Sequence, residues 1–77
     1  MSIRVKFFAS LRERVGHSER ELASDVASTV DEVWTQSTEG MEMPANLLIA
    51  INMDYVERGA AVTDGDEVAF FPPVTGG

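Results

Sequence analysis

The sequence contains no cysteine, and it has few basic side chains. The lack of cysteine excludes disulfide bonds, thiolate catalysis and cysteine-based metal sites. Lysine and arginine number 6 against 13 aspartates and glutamates. Nucleic acid is therefore not an expected ligand, because contacts to phosphates need basic side chains. No apolar run approaches the roughly 18–20 residues that span a bilayer, so we expect no membrane association. A small cytoplasmic domain fits these absences best.

The 77 residues carry a net charge of −7. A chain of this length forms one small domain, which leaves little room for a substrate cleft with its own catalytic groups. Strong acidity favours docking on a basic protein surface, but it also helps to keep a small protein in solution. The sequence leaves both explanations open.

The first part of the chain predicts two strands separated by a helical turn. Residues 3–8 begin with alternating apolar and basic side chains, which is typical of a half-buried strand. Residues 10–15 favour a short helical turn, and Gly16 is placed to end it in a left-handed conformation. Residues 19–22 are highly charged, which favours a short strand at the edge of a sheet.

The middle of the chain predicts one main helix. Thr29 and Glu32 have the spacing of a capping box, in which the two residues satisfy each other's backbone N–H groups. Acidic side chains in the first turn also suit the helix dipole. Gly40 is expected to stop the helix. One face is apolar at helical spacing and is predicted to enter the core: Val30, Val33 and Trp34.

The last third of the chain predicts three further strands. Residues 47–52 are a nearly continuous apolar run, consistent with a strand covered on much of both faces. Residues 52–54 supply turn chemistry, and residues 55–57 form a short returning strand. Residues 67–71 form the final strand, which two prolines terminate. This order predicts an α+β domain with the helix on one face of a small mixed sheet. The order of the strands within the sheet does not follow from the pattern.

The sequence closes with two glycines, Gly76 and Gly77, after the final strand and the proline pair. Residues without side chains can pass through a narrow tunnel and present a terminal carboxylate to a reagent. A frayed terminus or a cloning scar is the alternative. The strand and the prolines before the diglycine favour a chemical role.

Strand alternation also predicts an exposed aromatic pair. Side chains alternate between the two faces of a strand. If Phe7 and Phe70 point toward the helix, Phe8 and Phe71 face away from it. If the two strands are neighbours, these rings form a patch near the root of the tail, and Tyr55 extends it. Clustered exposed aromatics usually mark a protein interface. The alternative is that loops cover both rings.

Taken together, these segments resemble the ubiquitin-like, β-grasp sulfur carriers, and most closely the family of molybdopterin synthase small subunits. The strongest part of the match is the run from Thr63 to Gly77, which reads Thr-Asp-Gly-Asp-Glu-Val-Ala-Phe-Phe-Pro-Pro-Val-Thr-Gly-Gly. The resemblance implies a β-grasp fold in which the first and last strands are parallel neighbours in the centre of the sheet. It divides the chain into a domain over residues 1–73 and a flexible tail over residues 74–77.

The resemblance also implies a chemical cycle at Gly77. An adenylating enzyme of the ubiquitin-activating type would convert the Gly77 carboxylate to an acyl-adenylate, using ATP and magnesium. A persulfide donor would then supply sulfur and leave a thiocarboxylate, a 1-thioglycine. Inside the large subunit of a heterotetramer, this group would donate sulfur to cyclic pyranopterin monophosphate. Gly76 would serve sulfur transfer together with Gly77, because the diglycine passes into the partner. The implied partner-binding residues are Phe8, Tyr55, Phe71, Pro72, Pro73, Val74 and Thr75.

We expect this chain to bind no cofactor or metal by itself. No glycine-rich phosphate loop is present, so ATP belongs to the activating enzyme. A lone His17 beside a glycine indicates a solvated turn. Asp64, Asp66 and Glu67 resemble a cation cluster, but turn chemistry explains them better because calcium-loop spacing is absent.

Three rival functions remain open. A sulfur carrier for another pathway, such as thiamine biosynthesis, shares the fold and the diglycine, although the ending Phe-Pro-Pro-Val-Thr-Gly-Gly argues against it. A ubiquitin-like modifier would instead form isopeptide bonds with lysines of other proteins. A purely structural interaction domain gives no reason for the tail.

Overall fold

The computed structural model describes residues 2–72. Pro73, Val74, Thr75, Gly76 and Gly77 lie outside the described residues, and so does the predicted boundary between domain and tail. The described part folds into β1 (Ser2–Phe7), α1 (Ser10–Val15), β2 (Glu19–Ala23), α2 (Val30–Thr38), β3 (Leu48–Ile51), β4 (Asp54–Val56) and β5 (Glu67–Phe71).

The strands form one mixed sheet in the order β2-β1-β5-β3-β4. The central pair β1 and β5 is parallel, with Phe7 beside Phe70, and the other pairs are antiparallel. The α+β fold class is thereby confirmed. The charged strand β2 lies at one edge, as its composition predicts, and the short strand β4 forms the other edge.

The core lies between α2 and one face of this sheet. Trp34 is 2% exposed, and its ring meets Phe7 and Phe70 edge-on, with centroids 5.9 and 4.9 Å away. Its indole Nε1 donates a hydrogen bond of 2.7 Å to the carbonyl of Met41. Trp34 is therefore a core residue with its polar atom satisfied, as predicted.

Helix α2 starts as predicted and ends at Thr38, shortly before Gly40. Thr29 accepts a hydrogen bond from the Glu32 N–H at 3.4 Å, and Glu32 accepts one from the Thr29 N–H at 3.1 Å, which completes the capping box. Gly40 lies at the end of the helix as predicted, directly after Glu39, which already adopts the left-handed conformation at φ 60°. Gly40 follows at φ 87° and donates its N–H to the carbonyl of Thr35, which closes the end of the helix.

Strand β3 also differs from its prediction. It runs from Leu48 to Ile51, and Leu48 is 39% exposed, because neither helix of residues 2–72 covers the outer face of the sheet. The expectation of cover on both faces therefore fails at Leu48, although Ala50 on the same face is buried. Strand β4 begins at Asp54, one residue before its predicted start. Neither helix in residues 2–72 is long and apolar enough to cross a membrane.

Candidate functional site

The candidate site lies where β1 and β5 end together at one edge of the sheet. Phe8 follows β1 and donates its N–H to the carbonyl of Phe70 at 3.1 Å. The rings of Phe8 and Phe71 stack with centroids 4.7 Å apart and planes 7° apart. Phe8 is 39% exposed, and Phe71 is half-buried. The predicted aromatic pair is therefore present and faces away from α2, whereas its role in binding stays a prediction.

A tight turn fixes the position of Phe8. Its carbonyl accepts a hydrogen bond of 3.1 Å from the N–H of Leu11, a core residue that is 2% exposed. Between them Ala9 adopts φ 53° and ψ −131°, a conformation of type II′ turns that favours glycine. Both the backbone N–H and the carbonyl of Phe8 are therefore hydrogen-bonded. Sequence reasoning missed this turn, because alanine carries no signal for a positive φ.

Leu48 is a further apolar member of this surface that the sequence prediction missed. It pairs with Phe71 across the β3–β5 ladder and lies on the same outer face. We call the set Phe8, Phe71 and Leu48 the tail-root surface. The alternation with Ile49, which is buried, is the signal that could have identified Leu48 as outward-facing.

Tyr55 occupies a separate position on the same face of the sheet. It pairs with Ala50, which in turn pairs with Ala69, so its row is displaced along the strands from the row of Leu48 and Phe71. Tyr55 is 74% exposed at the edge strand. The structure therefore brings Phe8 and Phe71 together and places Tyr55 apart from them on the same face.

The part of the outer face near the edge strand β2 is charged. Glu67 contacts both Lys6 and Arg4, at 3.5 and 3.9 Å, and Arg4 also contacts Glu19 at 3.7 Å. These pairs are exposed and contribute little to stability. They lie on β2, β1 and β5, away from Leu48 on β3.

The acidic segment after Thr63 forms a turn. Asp66 accepts hydrogen bonds from the Thr63 N–H at 2.8 Å and from the Asn52 amide at 3.0 Å. These bonds, with the Thr63 backbone first, hold the pKa of Asp66 below its ordinary value of 3.8. In residues 2–72, no group of three histidine, aspartate or glutamate side chains is placed to hold a metal ion. The hydrogen bonds from Thr63 and Asn52 support the turn interpretation of Asp66.

Of the predicted partner-binding residues after β5, Pro72 is described, and it is half-buried directly after the strand. It can donate no backbone hydrogen bond, so it cannot extend the ladder in which Phe71 ends. The chemistry predicted at Gly76 and Gly77 lies outside the described residues and stays a prediction.

Helix α2 packs across a mixed sheet whose two central strands are parallel, and two aromatic rings stack where those strands end. These features define a ubiquitin-like β-grasp protein. The chain belongs to the ThiS family, whose sequence profile matches residues 5–77. The molybdopterin synthase sulfur carrier subunit of Escherichia coli is 42% identical and covers 97% of this chain and 99% of its own length. The resemblance inferred from the sequence is thereby confirmed.

Solved structures of other proteins share the fold. SAMP1 from Haloferax volcanii is 28% identical, with a TM-score of 0.77 and complete coverage of both chains. A chain from the Helicobacter pylori complex of subunits 1 and 2 of molybdopterin-converting factor is 23% identical, with a TM-score of 0.67 and complete coverage of both chains. At that identity the second likeness concerns the fold alone.

Proposed function

We propose that this chain is the sulfur-carrier small subunit of a molybdopterin synthase, with the Gly77 carboxylate as its working group. The observation that carries the proposal is the stacked, outward-facing pair of Phe8 and Phe71, held at the root of the segment that leads to Gly77. The match to a curated sulfur carrier subunit over 97% of the chain supports it. The chain is not an enzyme on its own but one subunit of an enzyme complex.

The proposed chemistry starts from a carboxylate, which is a poor acyl donor. Adenylation by a ubiquitin-activating-type enzyme, with ATP and magnesium, supplies a good leaving group at Gly77. The outer sulfur of a persulfide donor then attacks the Gly77 carbonyl and displaces AMP, which gives an acyl disulfide. A second thiol cleaves its S–S bond, so that a thiocarboxylate remains on Gly77 and the donor sulfur and the thiol leave as a disulfide. The resulting thiocarboxylate is ionised at neutral pH and is a good sulfur nucleophile. A chain without cysteine is thus able to carry sulfur and pass it to cyclic pyranopterin monophosphate.

The reach of the tail suits this role. From Pro73 to Gly77 an extended chain spans roughly 15–17 Å at about 3.3 Å per residue. That length suffices to pass from a docked surface into a pocket of a partner. The two prolines stiffen the base of this segment, so less conformational freedom is lost on insertion.

The proposed partners are the large subunit of the synthase, the adenylating enzyme and the persulfide donor, all in the cytoplasm. The large subunit and the adenylating enzyme must each enclose the same tail, so both would use the tail-root surface in turn. The complex of subunits 1 and 2 from Helicobacter pylori is a precedent for the first of these partners.

A second candidate function is that of a protein modifier. The likeness to SAMP1 from Haloferax volcanii, a small archaeal modifier protein, favours it at 28% identity over the whole chain. A modifier would form isopeptide bonds with lysines and appear in higher-mass conjugates on a blot. A sulfur carrier would remain a free chain that changes only at its C-terminal carboxylate.

Intact-mass measurement tests the proposal. The purified chain is incubated with a cognate adenylating enzyme, ATP and a sulfur donor. We expect its mass to rise by the difference between one sulfur and one oxygen atom. A chain that lacks Gly77 serves as the control and should show no change. Equal sulfur loading of the truncated chain would overturn the assignment of Gly77.

A further inference from the structure

Lys6 is the only lysine among the 77 residues, and the other five basic side chains are arginines. An arginine guanidinium stays charged and is a poor nucleophile, whereas a lysine amine that has lost its proton attacks activated carboxyl groups. A chain whose working group is an activated carboxylate therefore carries one lysine that its own chemistry can modify. The position of this lysine bears on whether that reaction occurs.

Lys6 lies on the outer face of β1, near the point where the chain leaves the sheet toward Gly77. Its register partner on β5 is Ala69, three residues before Pro72, which corresponds to about 10 Å along the strand. The segment from Pro73 to Gly77 spans roughly 15–17 Å when extended. The Gly77 carbonyl of the same chain is therefore within reach of Lys6 if the tail turns back, and a second copy can present the same carbonyl without a turn.

The start of β1 lies at the opposite end of the sheet from this exit point. Strands β1 and β5 are parallel, so Ser2 is near the start of β5, whereas Pro72 follows its end. Four residues separate Ser2 from Lys6, which corresponds to about 13 Å along the strand. The Lys6 amine is therefore better placed to meet Gly77 than an α-amino group ahead of Ser2.

Two carboxylates flank Lys6 and restrain its side chain. The Lys6 Nζ lies 3.5 Å from Glu67 Oε2, and Glu19 is the cross-strand partner of Lys6 on β2. Glu67 begins β5, whereas the tail leaves from the end of that strand, so the ion pair directs the amine away from Pro72. The amine must leave Glu67 and lose a proton before it can attack a carbonyl. The pair is partly exposed, so this restraint is modest.

We propose that Lys6 is the self-acylation site of this chain and that its ion pair with Glu67 restrains the reaction. The inference rests on the proposed function, which supplies the Gly77 acyl-adenylate from ATP. The Lys6 nitrogen forms a bond to the Gly77 carbonyl carbon, the bond from that carbon to the AMP oxygen breaks, and AMP leaves with the electron pair. The proton of the amine passes to water. The product is an isopeptide, and its Gly77 can no longer receive sulfur, so the reaction competes with sulfur loading.

Activation without sulfur tests the proposal. The chain is incubated with a cognate adenylating enzyme, ATP and magnesium, and without a persulfide donor, while pyrophosphate release reports adenylation. Intact mass identifies the source of the carbonyl, because a chain closed on itself loses one water, whereas two linked copies have twice the chain mass less one water. Peptide mapping locates the bond, which we expect at Lys6. The product contains this chain alone, whereas a protein modifier would be bonded to lysines of other proteins.

Three variants separate the amine from its restraint. Lys6→Arg keeps a positive charge beside Glu67 but removes the amine, so the linked product should fall by about tenfold or more at an unchanged rate of pyrophosphate release. Glu67→Gln removes the carboxylate that holds Lys6, so the product should rise by about twofold to fivefold, the size expected for an exposed ion pair. Glu57→Gln makes the same change of charge after the far edge strand β4, at an exposed position, and should leave the product unchanged.

The outcomes also distinguish this inference from the proposed function. If pyrophosphate is released but no linked product forms, or if Lys6→Arg gives as much product as the parent chain, the inference is overturned while the proposed function stands. An unchanged amount of product in Glu67→Gln overturns the restraint. If no pyrophosphate is released, the proposed function fails first and this inference fails with it. A bond at Lys6 that is lost in Lys6→Arg and more abundant in Glu67→Gln supports the inference.

Discussion

Phe8 and Phe71 lie side by side on the outer face of the sheet, directly beyond the buried pair of Phe7 and Phe70. The parallel register of β1 and β5 sets Phe7 beside Phe70, with ring centroids 5.7 Å apart. The residue that follows each of them in the sequence turns to the opposite face, where Phe8 and Phe71 stack with ring centroids 4.7 Å apart. One aromatic pair therefore contributes to the core, and its neighbour in sequence is available to a partner.

The two pairs should respond differently to truncation. Phe8→Ala and Phe71→Ala should each weaken binding to the large subunit and the adenylating enzyme by about 1 kcal/mol or more. Phe70→Ala, which empties a site that is 0% exposed, should instead lower the free energy of unfolding by about 3–5 kcal/mol. Titration calorimetry and denaturant unfolding measure these changes. A loss of several kcal/mol in stability at Phe8, with binding unaffected, would show that its role is structural.

Gly76 should matter for sulfur transfer and not for folding. A β-carbon at this position widens the tail where it passes through the partner, so Gly76→Val should slow sulfur transfer while the unfolding curve stays unchanged. Gly59→Val is the matched control, because a Cβ at Gly59 meets no atom within 4 Å. Single-turnover assays with the loaded chain compare the two variants. Equal transfer rates would contradict a narrow passage at Gly76.

Ala9→Gly should stabilise the fold. Ala9 adopts φ 53°, where an L-residue carries strain that glycine does not. We expect the free energy of unfolding to rise by about 1 kcal/mol. Ala45→Gly is the control, since Ala45 is exposed with a negative φ and should lose a little stability from the added backbone freedom. Urea unfolding distinguishes the two, and a destabilised Ala9→Gly would mean that the turn is not strained.

Acid should weaken the turn at Asp66. Its pKa in the folded state lies below the ordinary value of 3.8, mainly because the Thr63 N–H donates to the carboxylate. Its contribution to stability is therefore fully present above pH 3.8 and is lost as the pH falls through the lower folded-state pKa. Asp66→Asn should lower stability at neutral pH and flatten the acid limb of a plot of unfolding free energy against pH. An unchanged slope would show that Asp66 gives no acid dependence.

Local sequence signals predicted the elements whose ends depend on side-chain chemistry. Thr29 and Glu32 place the start of α2, and Gly16 adopts φ 89° at the end of α1, because caps need particular donors or a missing Cβ. The bounds of β5 follow from its apolar run and the prolines after it. These signals are local, so the sequence alone is sufficient to read them.

Features decided by tertiary context escaped prediction from local pattern. Glu39, Met53 and Ala9 all adopt positive φ values that their residue types do not signal. The exposure of Leu48 depends on which face α2 covers, and the strand order depends on long-range pairing. The resemblance to a known family supplied the central parallel pair, which hydrophobic periodicity could not. At the candidate site, the alternation of side chains along the strands predicted that Phe8 and Phe71 face outward, whereas the outward position of Leu48 was missed.

The central position of β5 has a consequence during protein synthesis. Strand β5 comes last among the strands of residues 2–72, yet it lies between β1 and β3 and pairs with both. Until it leaves the ribosome, the two halves of the sheet have nothing between them, and Phe7 lacks Phe70 as its neighbour. Such long-range closure is slow compared with local folding. A chain that stops before β5 therefore leaves the pairs β1–β2 and β3–β4 without the strand that joins them into one sheet.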